Sequence, residues 1–152
     1  YGTTVFWKDD FMKVKIKQID GIALAGAGDT NHWVNMDGPE EFGGHSAGSR
    51  PMELFLMSLG GCTAMDVISI LLKKRVTLDD FRMEIDADRS EKHPKVFSAI
   101  RLHFIFIGKG IRTKDVERAI ELSTEKYCPA NAMLRKSVPI SADYEIIEKV
   151  RD

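Results

Sequence analysis

Cysteine is scarce in this chain: Cys62 and Cys128 are the only two among 152 residues. Two are too few for the disulfide scaffold of a small secreted domain, which leaves a reducing, cytoplasmic setting as the expectation. An excess of one charge is also missing. The 22 basic and 23 acidic residues create no net field to steer nucleic acid or an anionic membrane, so neither is expected as a partner. The first ten residues lack the basic-then-apolar layout of a signal peptide. There is no internal repeat or low-complexity tract, no GxGxxG, and no GKS or GKT for phosphate binding. The four histidines, His32, His45, His93 and His103, share no metal-ligand spacing with one another or with the cysteines.

What is present suits one domain spanning residues 1–152, with 43% hydrophobic and 30% charged residues. Period-two alternation predicts strands at Met12–Ile16, Met83–Ala87, Ile100–Phe106 and Ile140–Ile146, with weaker candidates at Thr3–Trp7 and Ile22–Ala25. Asp20-Gly21 between two of these runs signals a hairpin. A helix is predicted from Pro51 to about Lys74. A second starts near Thr113, with Val116, Ala119, Ile120, Ser123 and Tyr127 on one stripe and Lys114, Asp115, Glu117, Arg118 and Glu121 on the exposed face. The resulting order is strands, helix, strands, helix, strand: an α+β fold with largely antiparallel pairing.

The run Leu54–Leu72 has the length of a bilayer span, roughly 20 residues. A central Asp66, diluted by Ser58, Gly60, Gly61, Thr63 and Ser69, argues instead for a helix buried in protein. A helix apolar nearly all round is hard for a single small domain to surround, so a partner chain is expected to cover part of it.

Both cysteines sit where redox chemistry is plausible as well as packing. Cys62 follows Gly60-Gly61, and Cys128 precedes Pro129, which must end its helix. A thiolate about eleven residues into a helix lies far from the positive end of the dipole and needs a local cation. Arg50, just before Pro51, is the nearest in sequence. Glu53 lies nine residues before Cys62, half a turn off its face in a straight helix. Asp66, at i, i+4, shares the face of Cys62 and either raises its pKa, orients an arginine or bonds to a neighbouring segment. His45, in the glycine-rich stretch Gly38–Arg50, is a weak further candidate.

These residues carry a resemblance to the OsmC/Ohr family, the osmotically induced and organic-hydroperoxide-resistance proteins. Gly43-Gly-His-Ser-Ala-Gly-Ser-Arg-Pro51 is similar to the family's glycine-rich approach to a proline, and Pro51-Met-Glu-Leu54 to its Pro-Glu-x-Leu helix start. Gly60-Gly-Cys62 falls at its small-small-Cys site, and Cys128-Pro-Ala-Asn131 resembles its Cys-Pro-x-Ser-Asn site. The resemblance implies an intertwined α+β homodimer with buried central helices, antiparallel sheets and no haem or metal. It implies thiol peroxidation in oxidative-stress defence: Cys62 reduces an organic hydroperoxide and becomes a sulfenic acid, Cys128 resolves it to a disulfide, and an external dithiol restores both thiols. Two positions depart from the pattern. Met52 stands where the family has its glutamate, with Glu53 one place on, and no arginine precedes Arg50. Arg50 and Glu53 are the residues left to fill those roles. A thiol site that carries a small electrophile or sulfur species, and a structural protein with inert buried thiols, are the alternatives.

Overall fold

The computed structural model describes residues 11–149, so the candidate strand at Thr3–Trp7 lies outside the described residues. The chain divides into two compact units, residues 1–54 and 55–152. In the first unit β1 (Val14–Asp20), β2 (Ala23–Gly28) and β3 (Trp33–Met36) form an antiparallel sheet in the order β1-β2-β3. The predicted hairpin joins β1 to β2 and turns at Gly21, whose φ of 52° lies in the left-handed region where glycine is favoured. β2 buries Ala23, Ala25 and Ala27. β3, only four residues long, gave no alternation to read.

The alternation in β1 predicted a half-buried strand, but all seven of its residues are exposed. It is an edge strand, open on both faces within its unit. Its lysine face is not simply solvated, because the Lys15 and Lys17 ammonium groups lie 5.2 Å and 5.3 Å from the Trp33 ring centroid. After β3, the short helical turn Glu40–Phe42 leads through the glycine-rich loop to the start of α1 (Pro51–Lys73).

The second unit holds most of α1, then β4 (Asp80–Arg89), β5 (Phe97–Gly108), α2 (Thr113–Leu122), a π-helical turn (Ser123–Tyr127), α3 (Pro129–Leu134) and β6 (Ile140–Glu148). β4 pairs antiparallel with β5, as expected. β6 runs parallel to β5, which needs a long crossover, and α2, the π turn and α3 supply it. The core gathers Leu102, Phe104 and Phe106 of β5, with Phe104 and Phe106 stacked at 6.2 Å between ring centroids, against Leu59, Val67 and Leu71 of α1 and Val116, Ala119 and Ile120 of α2.

Within the chain α1 buries Leu59, Thr63, Val67 and Leu71, one stripe at four-residue spacing, together with Gly60. A Cβ on Gly60 would fall 2.2 Å from the Ile85 Cδ1, so the helix packs closely on β4 here and a larger residue would make the Ile85 side chain shift. The remaining faces of α1 expose Phe55, Met57, Met65 and Leu72. By length and composition α1 also meets the measure of a membrane span, although its mid-helix Asp66 is hydrogen-bonded inside the protein.

Two expectations for the second helix are corrected. Asp115, expected on the solvent face, is only 1% exposed. It accepts from Arg112 Nε at 2.6 Å and Lys74 Nζ at 3.1 Å, and a carboxylate so paired tolerates burial. Tyr127, expected on the apolar stripe, is 51% exposed. The intervening π turn is wider than an α turn and shifts the phase of the stripe after Ser123.

Candidate functional site

The structure brings the two cysteines together. α1 carries Cys62 and Thr63 side by side, and the end of the π turn presents Cys128 to the same place. The Thr63 hydroxyl donates to the Leu59 carbonyl at 2.8 Å, and its oxygen lies 3.4 Å from the Cys128 Sγ. Cys128 lies near enough to Cys62 to influence its titration, and both thiols are free. Cys128 is buried and Cys62 half-buried.

Pro129 explains the local geometry. It ends the preceding helical segment, as its missing N–H requires, and also starts the next, at the first position of α3. Cys128 is therefore the N-cap of α3. The next two N–H groups would be orphans at a helix start, and both turn to sulfur. The Asn131 N–H donates to Cys128 Sγ at 3.4 Å, and the Ala130 N–H faces Cys62 closely enough to favour its thiolate. The other wall is tied by Ser123, whose hydroxyl is 3.2 Å from both the Thr63 carbonyl and the Asp66 Oδ2. The π turn is closed by the Cys128 N–H donating to the Ser123 carbonyl at 2.9 Å. Residues 123–128 are thus pinned to α1 at one end and to the thiol pair at the other.

Burial pushes the Cys62 thiol above its ordinary value. The neighbouring Cys128 and the Asp66 carboxylate push the same way, and only the Ala130 N–H opposes them. No cation figures among these influences. Of the readings for Asp66, the carboxylate acts on Cys62 and also bonds a neighbouring segment through Ser123, and among the described residues it pairs with no arginine.

The other sequence candidates lie in the first unit. The Arg50 N–H donates to Glu53 Oε2 at 2.9 Å, and the Arg50 carbonyl accepts from the Glu53 and Leu54 N–H groups. This is the reach-back half of a capping box, and it gives Glu53 a structural part at the start of α1. The Arg50 side chain is exposed and enters no ion pair among the described residues. His45 is exposed, with its Nε2 3.8 Å from Asp20 Oδ2. Its backbone N–H is one of three held by the buried Asp37 carboxylate, with those of Gly38 and Ala47. These bonds, the one from Ala47 foremost, pull the Asp37 pKa down and fix the glycine loop.

Thr63 and Ser123 were not foreseen as parts of the thiol site, and Ala130 and Asn131 entered only through the motif Cys128-Pro-Ala-Asn131. The one available signal was Cys128-Pro129 itself: a proline at a helix start makes the preceding residue the cap and directs the next two N–H groups toward it.

Two free thiols held together at a helix start, in an α+β chain with a split of strands around one long helix, define a two-cysteine thiol protein. The chain belongs to the OsmC-like protein family, whose model matches residues 43–143. Protein YhfA of Escherichia coli strain K12 is 40% identical over 136 residues, covering 90% of this chain and 98% of YhfA. A crystal structure of a hypothetical protein from Aquifex aeolicus VF5 is 29% identical, with a TM-score of 0.81 over 92% of this chain and 98% of that one. An organic hydroperoxide resistance protein OsmC from Legionella pneumophila shares the fold at 18% identity, with a TM-score of 0.65 over 88% of this chain and 96% of its own.

Proposed function

We propose that this protein is a two-cysteine thiol peroxidase acting on organic hydroperoxides. The observation that carries the reading is the meeting of Cys62 and Cys128, two free thiols near enough for Cys128 to push the Cys62 pKa up although 66 positions apart in sequence. The Cys62 thiolate attacks the distal oxygen of the hydroperoxide. The O–O bond breaks and the leaving alkoxide takes a proton to become the alcohol. Sulfur is thereby oxidised to a sulfenic acid and the peroxide reduced. Cys128 sulfur then attacks the Cys62 sulfur, and hydroxide leaves as water with the proton of the Cys128 thiol. An external dithiol reduces the resulting disulfide and is itself oxidised. The Ala130 N–H favours anionic sulfur at Cys62.

The family resemblance, rather than geometry, assigns Arg50 to the thiolate, with Glu53 fixing its backbone. The same reading has the protein act as a homodimer in the cytoplasm. Exposed Phe55, Met57, Met65 and Leu72 on α1 are the apolar surface a second copy would cover. The hydroperoxide resistance ascribed by name to the Legionella relative fits this chemistry.

A second reading has one observation in its favour: the Cys62 thiol is pushed up, with no cation among the influences on it. The pair would then take up a small electrophile or sulfur species without peroxidatic turnover. Consumption of cumene hydroperoxide with a recycling dithiol separates the two. The peroxidase reading expects turnover lost in Cys62→Ser, a single stoichiometric oxidation without an intramolecular disulfide in Cys128→Ser, and a slower reaction in Arg50→Ala. Turnover absent from the unmodified protein would overturn it, and labelling of both thiols only under denaturing conditions would mark them as inert.

A further inference from the structure

Thr63 puts a hydroxyl in an apolar place. It stands on the buried stripe of α1 between Leu59 and Val67, and none of the three is accessible to solvent. Valine has nearly the same shape and would fill such a position by packing alone, whereas a hydroxyl is costly to bury unless it is bonded. Here it is bonded twice, and the two bonds fix where its proton goes. A carbonyl only accepts, so the 2.8 Å contact with the Leu59 carbonyl takes the one hydroxyl proton. The 3.4 Å contact with Cys128 Sγ then has a single donor left, the Cys128 S–H, with the Thr63 oxygen accepting. The same sulfur accepts from the Asn131 N–H at 3.4 Å. Its proton and one lone pair are both committed, which holds the rotation of a thiol only 2% exposed from two sides.

We propose that Thr63 is a positioning residue for the second thiol: its side-chain oxygen takes the Cys128 S–H and holds the sulfur where it closes the disulfide with Cys62. The inference rests on the reading that Cys128 resolves Cys62, and it explains the order of the two. Cys128 is buried with its proton held, and the half-buried Cys62 meets the oxidant first. When the Cys128 sulfur attacks and gives up its proton, the Thr63 hydroxyl turns from the Leu59 carbonyl to donate to that sulfur, since a hydroxyl serves as donor or acceptor. The Leu59 carbonyl keeps its helical bond from the backbone N–H one turn on. Position 63 therefore needs an oxygen with a rotatable proton.

The backbone around the pair is tied without the Thr63 side chain. The Ser123 hydroxyl donates to the Thr63 carbonyl at 3.2 Å, and the Ser123 carbonyl accepts from the Cys128 N–H at 2.9 Å. A substitution at position 63 leaves both bonds in place, so it changes the hydroxyl and not the course of the chain.

The test is the reaction of the reduced protein with 2,2′-dithiodipyridine, followed by the absorbance of released pyridine-2-thione. The Cys62 thiolate attacks one sulfur of the reagent, whose S–S bond breaks, and the expelled pyridinethiolate takes up a proton as the first thione. The Cys128 sulfur then attacks the Cys62 sulfur of the mixed disulfide, and the second thione leaves with the Cys128 proton. Cys128→Ser marks the first phase alone. The proposal expects the second phase of Thr63→Val to slow about tenfold relative to the first, the loss of one hydrogen bond to a charged sulfur. Thr63→Ser keeps the hydroxyl and is expected to restore the second phase, although it leaves a methyl-sized gap in the core. A role in packing alone predicts the opposite order, with valine fast and serine slow. An unchanged ratio of the two phases in Thr63→Val, no rescue by Thr63→Ser, or no second phase in the unmodified protein would each overturn the assignment. No peroxide enters the measurement, so a protein inactive on hydroperoxides tests it equally well.

Discussion

Neutralising Asp66 is expected to make Cys62 a better thiolate. The Asp66 carboxylate is among the groups holding the thiol up, and it shares a helix face with it at i, i+4. At about 6 Å, Coulomb's law gives roughly 0.7 kcal/mol in water and about 2.8 kcal/mol at an effective dielectric of 20. Cys62 is only half-buried, so solvent screening places the effect near the lower end, about half to one pH unit. Asp66→Asn retains an oxygen to accept from Ser123, which leaves the tie between α1 and the π turn in place. The thiolate fraction at neutral pH then rises about three- to tenfold. A less basic thiolate is a weaker nucleophile, so the gain in peroxide reactivity shrinks to about two- to threefold. The assay is the pH profile of Cys62 carbamidomethylation resolved by peptide mass spectrometry, beside the rate of oxidation by cumene hydroperoxide. An alkylation midpoint unchanged or moved upward in Asp66→Asn would refute the electrostatic account.

Three further outcomes follow from the geometry. Phe104→Ala removes a fully buried ring stacked on Phe106 and is expected to cost about 3–5 kcal/mol in urea unfolding. Glu53→Ala removes the carboxylate that accepts from the Arg50 N–H, and is expected to cost about 1 kcal/mol, whereas Glu53→Gln keeps most of the cap; equal losses would show that the bond carries no stability. His103 Nδ1 is 2.5 Å from Asp143 Oδ1, and this contact leads the causes that raise the histidine pKa. Its stabilising contribution is therefore complete below the ordinary histidine value and lost as pH rises through the raised one. NMR titration of the imidazole is expected to show the raised pKa, and Asp143→Asn is expected to lower it.

Much of the fold was legible because burial writes itself into period. Met83, Ile85 and Ala87 alternate with charged residues on β4, and the structure turns them inward as expected, with Phe81 extending the same face. Pro51 marked the start of α1 to the residue. The sequence was mute where one residue's neighbours come from distant segments. Asp115 looked like a solvent-face acid because nothing local announces Lys74, 41 positions away. Tyr127 was misplaced because a π turn leaves no compositional trace. The parallel course of β6 depends on the crossover and not on the strand's own residues. At the site, both thiols were identified and Asp66 was placed on the right face. Their meeting depends on Thr63 and Ser123 linking α1 to the π turn, a tertiary fact with no local signature. Arg50 and Glu53 drew attention as ionisable residues at a helix start, and the bond between them is one that any helix start of this kind makes.

The central claim is that Cys62 and Cys128 form one redox unit, and the most direct measurement is the product of a single oxidation. The reduced protein is treated with one equivalent of cumene hydroperoxide, alkylated, digested without reductant, and read by mass spectrometry. The account predicts one disulfide-linked peptide pair joining Cys62 to Cys128 within a single chain, formed with loss of both free thiols. Two free thiols after the peroxide is spent, or disulfides only between chains, would contradict it.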